Sequence, residues 1–132
     1  MFFLISGNIL DYITELLDEI NRWCEEKRQS VEIVVNDWGM ASLVKKSRRN
    51  LIPSLGILLN KRRKDPRIPF KKGEQKWFER NSLNAGFYRN FLEREYGIQR
   101  FEWESCGYEQ KIPPGKNSLH IPFYQTNTSQ YC

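Results

Sequence analysis

One histidine, three cysteines and no long apolar run set the first limits on this chain of 132 residues. With His120 as the only histidine, a metal site rich in histidine and a hydrolytic centre built on several histidines are excluded. Cys24, Cys106 and Cys132 are odd in number and contain no Cys-x-x-Cys, so this is not the disulfide framework of a small secreted domain. No stretch is long and apolar enough to span a bilayer. The opening Phe2-Phe3-Leu4-Ile5 is too short for a signal peptide and lacks a basic flank. A reducing, cytoplasmic setting without a membrane partner is the expectation. No G-x-S-x-G, H-E-x-x-H, P-loop or G-x-G-x-x-G occurs. By themselves the residues establish no reaction.

What is present is a globular composition. Hydrophobic residues make up 39% and charged residues 28%, which is enough apolar side chain for a real core. The net charge of +5 is concentrated in Lys45-Lys46-Ser47-Arg48-Arg49 and Lys61-Arg62-Arg63-Lys64. Such local fields suit an anionic partner, RNA among them. The length is that of one domain.

Taken in order, residues 1–6 read as a short strand and Gly7-Asn8 as its turn. From residue 9 to about 28, Ile9, Ile13, Leu16, Leu17, Ile20, Trp23 and Cys24 recur at helical spacing, with charged residues between them. Cys24 then lies on the apolar side as a buried thiol. Val31-Glu32-Ile33-Val34-Val35 is a β-branched strand. A helix over 39–49 follows, with Met40, Leu43 and Val44 on one side. Residues 51–59 form the next apolar run, in which Pro53 predicts pairing only beyond it. Residues 60–84 read as an irregular basic loop, a length that in a compact domain signals function or a partner surface. Ser82 can cap a helix over 83–96 with Phe87, Phe91, Leu92 and Tyr96 inward, closed by Gly97. Residues 98–104 alternate as a strand, and 119–124 form a last one. This β-α-β-α-β-loop-α-β-β order predicts a single α/β domain over 1–132 with a mainly parallel sheet. It is about half of a closed (β/α)8 barrel, which takes roughly 250 residues. A partial TIM-like barrel, a fragment of a larger one, is the expected architecture.

In such folds, groups just past the carboxyl ends of the strands are the candidates for chemistry. Asn36 and Asp37 stand there as candidate catalytic or ion-binding groups, with helix capping by Asp37 as the simpler reading. Asn60, Lys61, Arg62, Arg63, Asp65 and Arg67 stand past the next run as a candidate substrate-binding cluster. Its five cations within seven residues suit phosphate, and a solvated loop is the alternative. Glu102 and Glu104 share a strand face, Glu104 near its carboxyl end. Paired carboxylates can do acid–base work or bind metal, whereas exposed charge on an edge strand is the plainer account. His120 can be a ligand, a general base or a structural group. Cys106 can be a ligand or nucleophile, without a basic neighbour to activate it. Trp77-Phe78 and Trp103 either stack on a base or fill a core.

Val35-Asn36-Asp37-Trp38-Gly39, then Leu55-Gly56-Ile57-Leu58-Leu59-Asn60-Lys61 and Asp65-Pro66-Arg67, resembles a signature of the collagenase-like peptidase family U32. The ending, Leu119-His120-Ile121-Pro122-Phe123 leading to Tyr131-Cys132, is similar to the later strand that brings in a cysteine there. The resemblance implies the later half of a barrel, acting with a missing half or a second chain. It implies a protease, or a hydroxylase of RNA bases or of a quinone precursor. Some such hydroxylases hold an iron–sulfur cluster on four cysteines. This chain has three, so only a shared cluster through Cys132, with Cys106 as a second candidate ligand, is compatible with it. A small basic nucleic-acid-binding module without catalysis is the other reading.

Overall fold

The computed structural model describes residues 6–47, 49–60, 79–105 and 109–121. The expected strand over 1–6 lies outside them up to residue 5. Ser6 already belongs to helix α1, Ser6–Lys27, so Gly7-Asn8 is helical and not a turn. The chain continues through β1 (Val31–Val35), α2 (Trp38–Ser47) and β2 (Leu51–Leu55). A single 3-10 turn, Ser82–Asn84, precedes α3 (Gly86–Tyr96), β3 (Arg100–Glu104) and β4 (Lys116–His120). The protein is α/β, with a four-stranded sheet in the order β1-β2-β3-β4, all parallel.

Each correction to the expected boundaries has a local cause. The run 51–59 is apolar throughout, and such runs do not distinguish strand from turn. The strand stops at Leu55 because Gly56 accepts hydrogen bonds at its carbonyl from the N–H groups of Leu59 and Asn60, which turns the chain. Pro53 does not delay the pairing of β2 with β1, where it is the partner of Ile33. The Gly56 N–H reaches the Val35 carbonyl at 2.8 Å, so by alternation the even residues of β2 point at β1 and Pro53 points at β3. Pairing with β3 begins only at Ser54, so the missing N–H falls where no ladder bond is required.

The helix expected over 83–96 begins at Gly86, and Ser82 is not its cap. Asn81 caps the 3-10 turn instead, accepting from Leu83 N–H at 2.9 Å while Asn84 Oδ1 accepts from Asn81 N–H at 3.0 Å. Gly97 terminates α3 at φ 72°, a left-handed conformation that costs glycine little. Phe87 and Phe91 are exposed, not inward; Leu92 carries the burial, with Tyr88 and Tyr96 half-buried. The last strand is Lys116–His120, earlier than 119–124, because the register is set by β3, with Trp103 beside Leu119 and Glu104 beside His120.

Strand parity divides the sheet. Val31, Ile33, Val35, Leu51, Leu55, Phe101 and Trp103 share the face that meets the helices. There they pack with Leu17 and Cys24 of α1, Ala41 and Val44 of α2, and Leu92 of α3. Burying each large apolar side chain contributes about 1.5–3 kcal/mol. Trp103 fills this core as expected, and its indole N–H donates to Asn117 Oδ1 at 2.8 Å, so no polar atom is stranded. The opposite face carries Glu32, Val34, Ile52, Ser54, Arg100, Glu102, Glu104, Ser118 and His120. Among the described residues α1, α2 and α3 pack on this one face, as right-handed crossovers between sequential parallel strands would place them.

Candidate functional site

The carboxyl ends of the four strands lie together along one rim of the sheet. At β1, Asp37 Oδ1 accepts from Met40 N–H at 2.8 Å, an N-cap that satisfies a donor in the first turn of α2. Asn36 Oδ1 accepts from Leu58 N–H at 3.2 Å and stands against Gly56. Both candidates therefore hold the rim together: one starts a helix and the other pins the turn after β2.

At β2, Asn60 is buried and its Nδ2 donates to the Glu102 carbonyl at 3.0 Å. That bond orients the amide and leaves Oδ1, itself buried, without a hydrogen-bond partner among the described residues. The remaining members of the predicted cluster, Lys61, Arg62, Arg63, Asp65 and Arg67, lie outside the described residues. So do Trp77-Phe78, Cys106 and Cys132.

At β3 the expectation of exposed charge on an edge strand is overturned. β3 is an inner strand, between β2 and β4, and Glu102 and Glu104 are only 7% and 4% exposed. Arg100, two positions earlier on the same face, bonds Ser118 Oγ at 3.3 Å and pairs with Glu32 at 2.8 Å.

At β4, His120 Nε2 is hydrogen-bonded to the Glu102 carboxylate, one strand away. Glu102 is buried, whereas the His120 side chain is 55% exposed. A buried carboxylate thus holds one nitrogen of an imidazole that is itself more than half exposed. In the tautomer with the proton on Nε2, Nδ1 is a base oriented by its neighbour, as in a triad without the nucleophile. Sequence reasoning singled out His120 and placed Glu102 with Glu104, but did not join His120 to Glu102. The pair depends on the β3–β4 register, which only pairing reveals.

Not every cation is available for a ligand. Lys45, in the first basic cluster, donates from Nζ to the carbonyls of Arg94 and Glu95. It occupies the carboxyl end of α3, where a positive charge meets the negative end of the helix dipole.

The described residues include no group of three or more metal-ligating side chains placed to hold a metal ion. A four-cysteine cluster does not fit this chain, since it has three cysteines and Cys24 is fully buried in the helix–sheet core. Among the described residues no helix is long and apolar enough to cross a membrane.

The fold and rim define an α/β protein with an all-parallel sheet, covered by helices on one face and bearing a His–carboxylate pair on the other. Compared with known protein families, curated proteins and solved structures, the chain matches none.

Proposed function

We propose that the chain is part of a (β/α) barrel of the collagenase-like peptidase type, and that its chemistry is hydrolysis with His120 as general base. The sequential parallel order and the one-sided helical cover support the barrel, because closing the sheet is the direct way to enclose its polar face. The observation that carries the chemistry is the bond between His120 Nε2 and the buried Glu102 carboxylate.

In the proposed step, Nδ1 of His120 takes a proton from water as the oxygen attacks the substrate carbonyl. Glu102 stabilises the imidazolium, and the ring returns the proton to the departing amine. The hydroxylase branch of the resemblance is the weaker one, since a single chain lacks the cysteines for its cluster. The nucleic-acid reading loses Lys45 to a helix end and rests on Lys61-Arg62-Arg63-Lys64. A reducing, cytoplasmic location suits the free thiol of Cys24.

Hydrolysis of gelatin and of fluorogenic peptides by the purified chain, over a range of chain concentrations, tests the reading. Wild type should cleave, and His120→Ala should lose about 10²-fold or more, the contribution ordinary for a general base. No cleavage at any concentration, or cleavage unchanged by His120→Ala, would overturn it.

A further inference from the structure

Three of the sets of exposed apolar side chains lie where one arrangement would cover them together. The first is on α1. At about 100° per residue, Leu17 and Cys24 turn into the core, and Asn21, further round on one flank, accepts from Asn50 N–H ahead of β2. Ile9, Tyr12, Leu16 and Trp23 lie on the other flank, exposed, on the side away from β2. The second set is Leu119 and Ile121, at 51% and 69% exposure on the helix-facing side of β4 and just beyond it. The third is Val34 and Ile52, exposed on the opposite face of the sheet.

The two outer strands are also complementary. Among the described residues β1 pairs only with β2 and β4 only with β3. The Val35 carbonyl accepts from Gly56, so the N–H and C=O groups of Glu32 and Val34 point outward from β1. The His120 carbonyl accepts from Ser105, so those of Asn117 and Leu119 point outward from β4.

We infer that two copies of this chain close an eight-stranded parallel barrel, β4 of each pairing with β1 of the other. This deepens the barrel reading and rests on it: four sequential parallel strands are half of the eight such a barrel needs. Parallel edges pair only with parallel neighbours in the same sense, and a twofold axis along the barrel provides that at both seams. The exposed stripe of α1 then lies over Leu119 and Ile121 of the second copy. Val34 and Ile52 become interior. Closure also removes both open edges, which otherwise invite aggregation.

The test is the mass of the full chain in solution by light scattering and sedimentation at tens of micromolar. Wild type should run at twice the 15.8 kDa chain mass. Leu119→Pro withdraws an outward N–H and leaves the β3–β4 ladder intact, so it should run at the single mass with an unchanged circular dichroism spectrum. Leu16→Glu should do the same from the helix side, while Leu10→Glu, round on the far side of the core stripe, should remain double. Wild type at the single mass, or a doubled mass that Leu119→Pro leaves unchanged, would overturn the inference. The peptide assay separates the two proposals: single-mass protein that cleaves refutes only the dimer, and doubled protein that does not cleave refutes only the hydrolase.

Discussion

Gly56 stands so close to Asn36 that a Cβ at position 56 would fall 2.1 Å from the Asn36 Oδ1, and 2.8 Å from the Val35 carbonyl oxygen. The side chain can swing aside; the backbone oxygen cannot. Gly56→Ala should therefore destabilise the fold by about 1–3 kcal/mol, the usual range for forced overpacking. Urea unfolding measures it. Adding Asn36→Ala should recover only part of the loss, because the Val35 contact remains and Leu58 N–H loses its acceptor. Full recovery would mean that the side chain alone sets the constraint.

Asp37 caps the first turn of α2 through its side chain. Asp37→Ala should cost about 1 kcal/mol in unfolding free energy and leave peptide hydrolysis per folded molecule unchanged. A loss of turnover in protein that is fully folded would return Asp37 to the site.

Lys45 ties α2 to the end of α3. Replacing its ammonium with an apolar group of similar length, Lys45→Met, should lower stability by about 0.5–1 kcal/mol, less so at high salt. If nucleic acid binds through the other cluster, its affinity should not follow this substitution. Filter binding to RNA, with and without Lys45→Met, distinguishes the two roles.

Burial, and secondarily the nearby Tyr96, raises the pKa of Tyr88 above its ordinary value of 10.0. The folded state keeps this proton longer than the unfolded chain does, so the folded protein binds more protons above pH 10. The contribution of Tyr88 is fully present below that pH and is lost as pH rises through its folded value. Spectroscopic titration near 295 nm should show one tyrosine ionising late. In Tyr88→Phe both that late step and part of the alkaline loss of stability should vanish.

Much of the fold is legible in the sequence, for reasons tied to particular residues. The helical recurrence of Ile13, Leu17, Ile20 and Cys24 and the β-branched run of β1 are local signals; β1 forms where predicted, and α1 ends where predicted but starts at Ser6, three residues early. The end of β2 is not legible, because Ile57, Leu58 and Leu59 continue the apolar run through a turn set by Gly56 and Asn36. Trp23 reads as inward by spacing yet is exposed, since the helical apolar arc is wider than the core it meets. At the site, His120 is conspicuous as the single histidine. Its partner is not, because strand parity reveals that Glu102 and His120 share a face only once β3 and β4 are in register. Asn81 as a cap had a usable signal, an Asn three residues before Asn84, which the nearer Ser82 obscured.

The central claim is that Glu102 and His120 act as one unit, and a double-mutant cycle on kcat/KM for peptide hydrolysis tests it most directly. His120→Ala and Glu102→Gln should each lower kcat/KM steeply, and the double variant should be little worse than His120→Ala alone, since an orienting carboxylate has nothing left to orient. Losses that simply add, or a Glu102→Gln enzyme as active as wild type, would contradict the account.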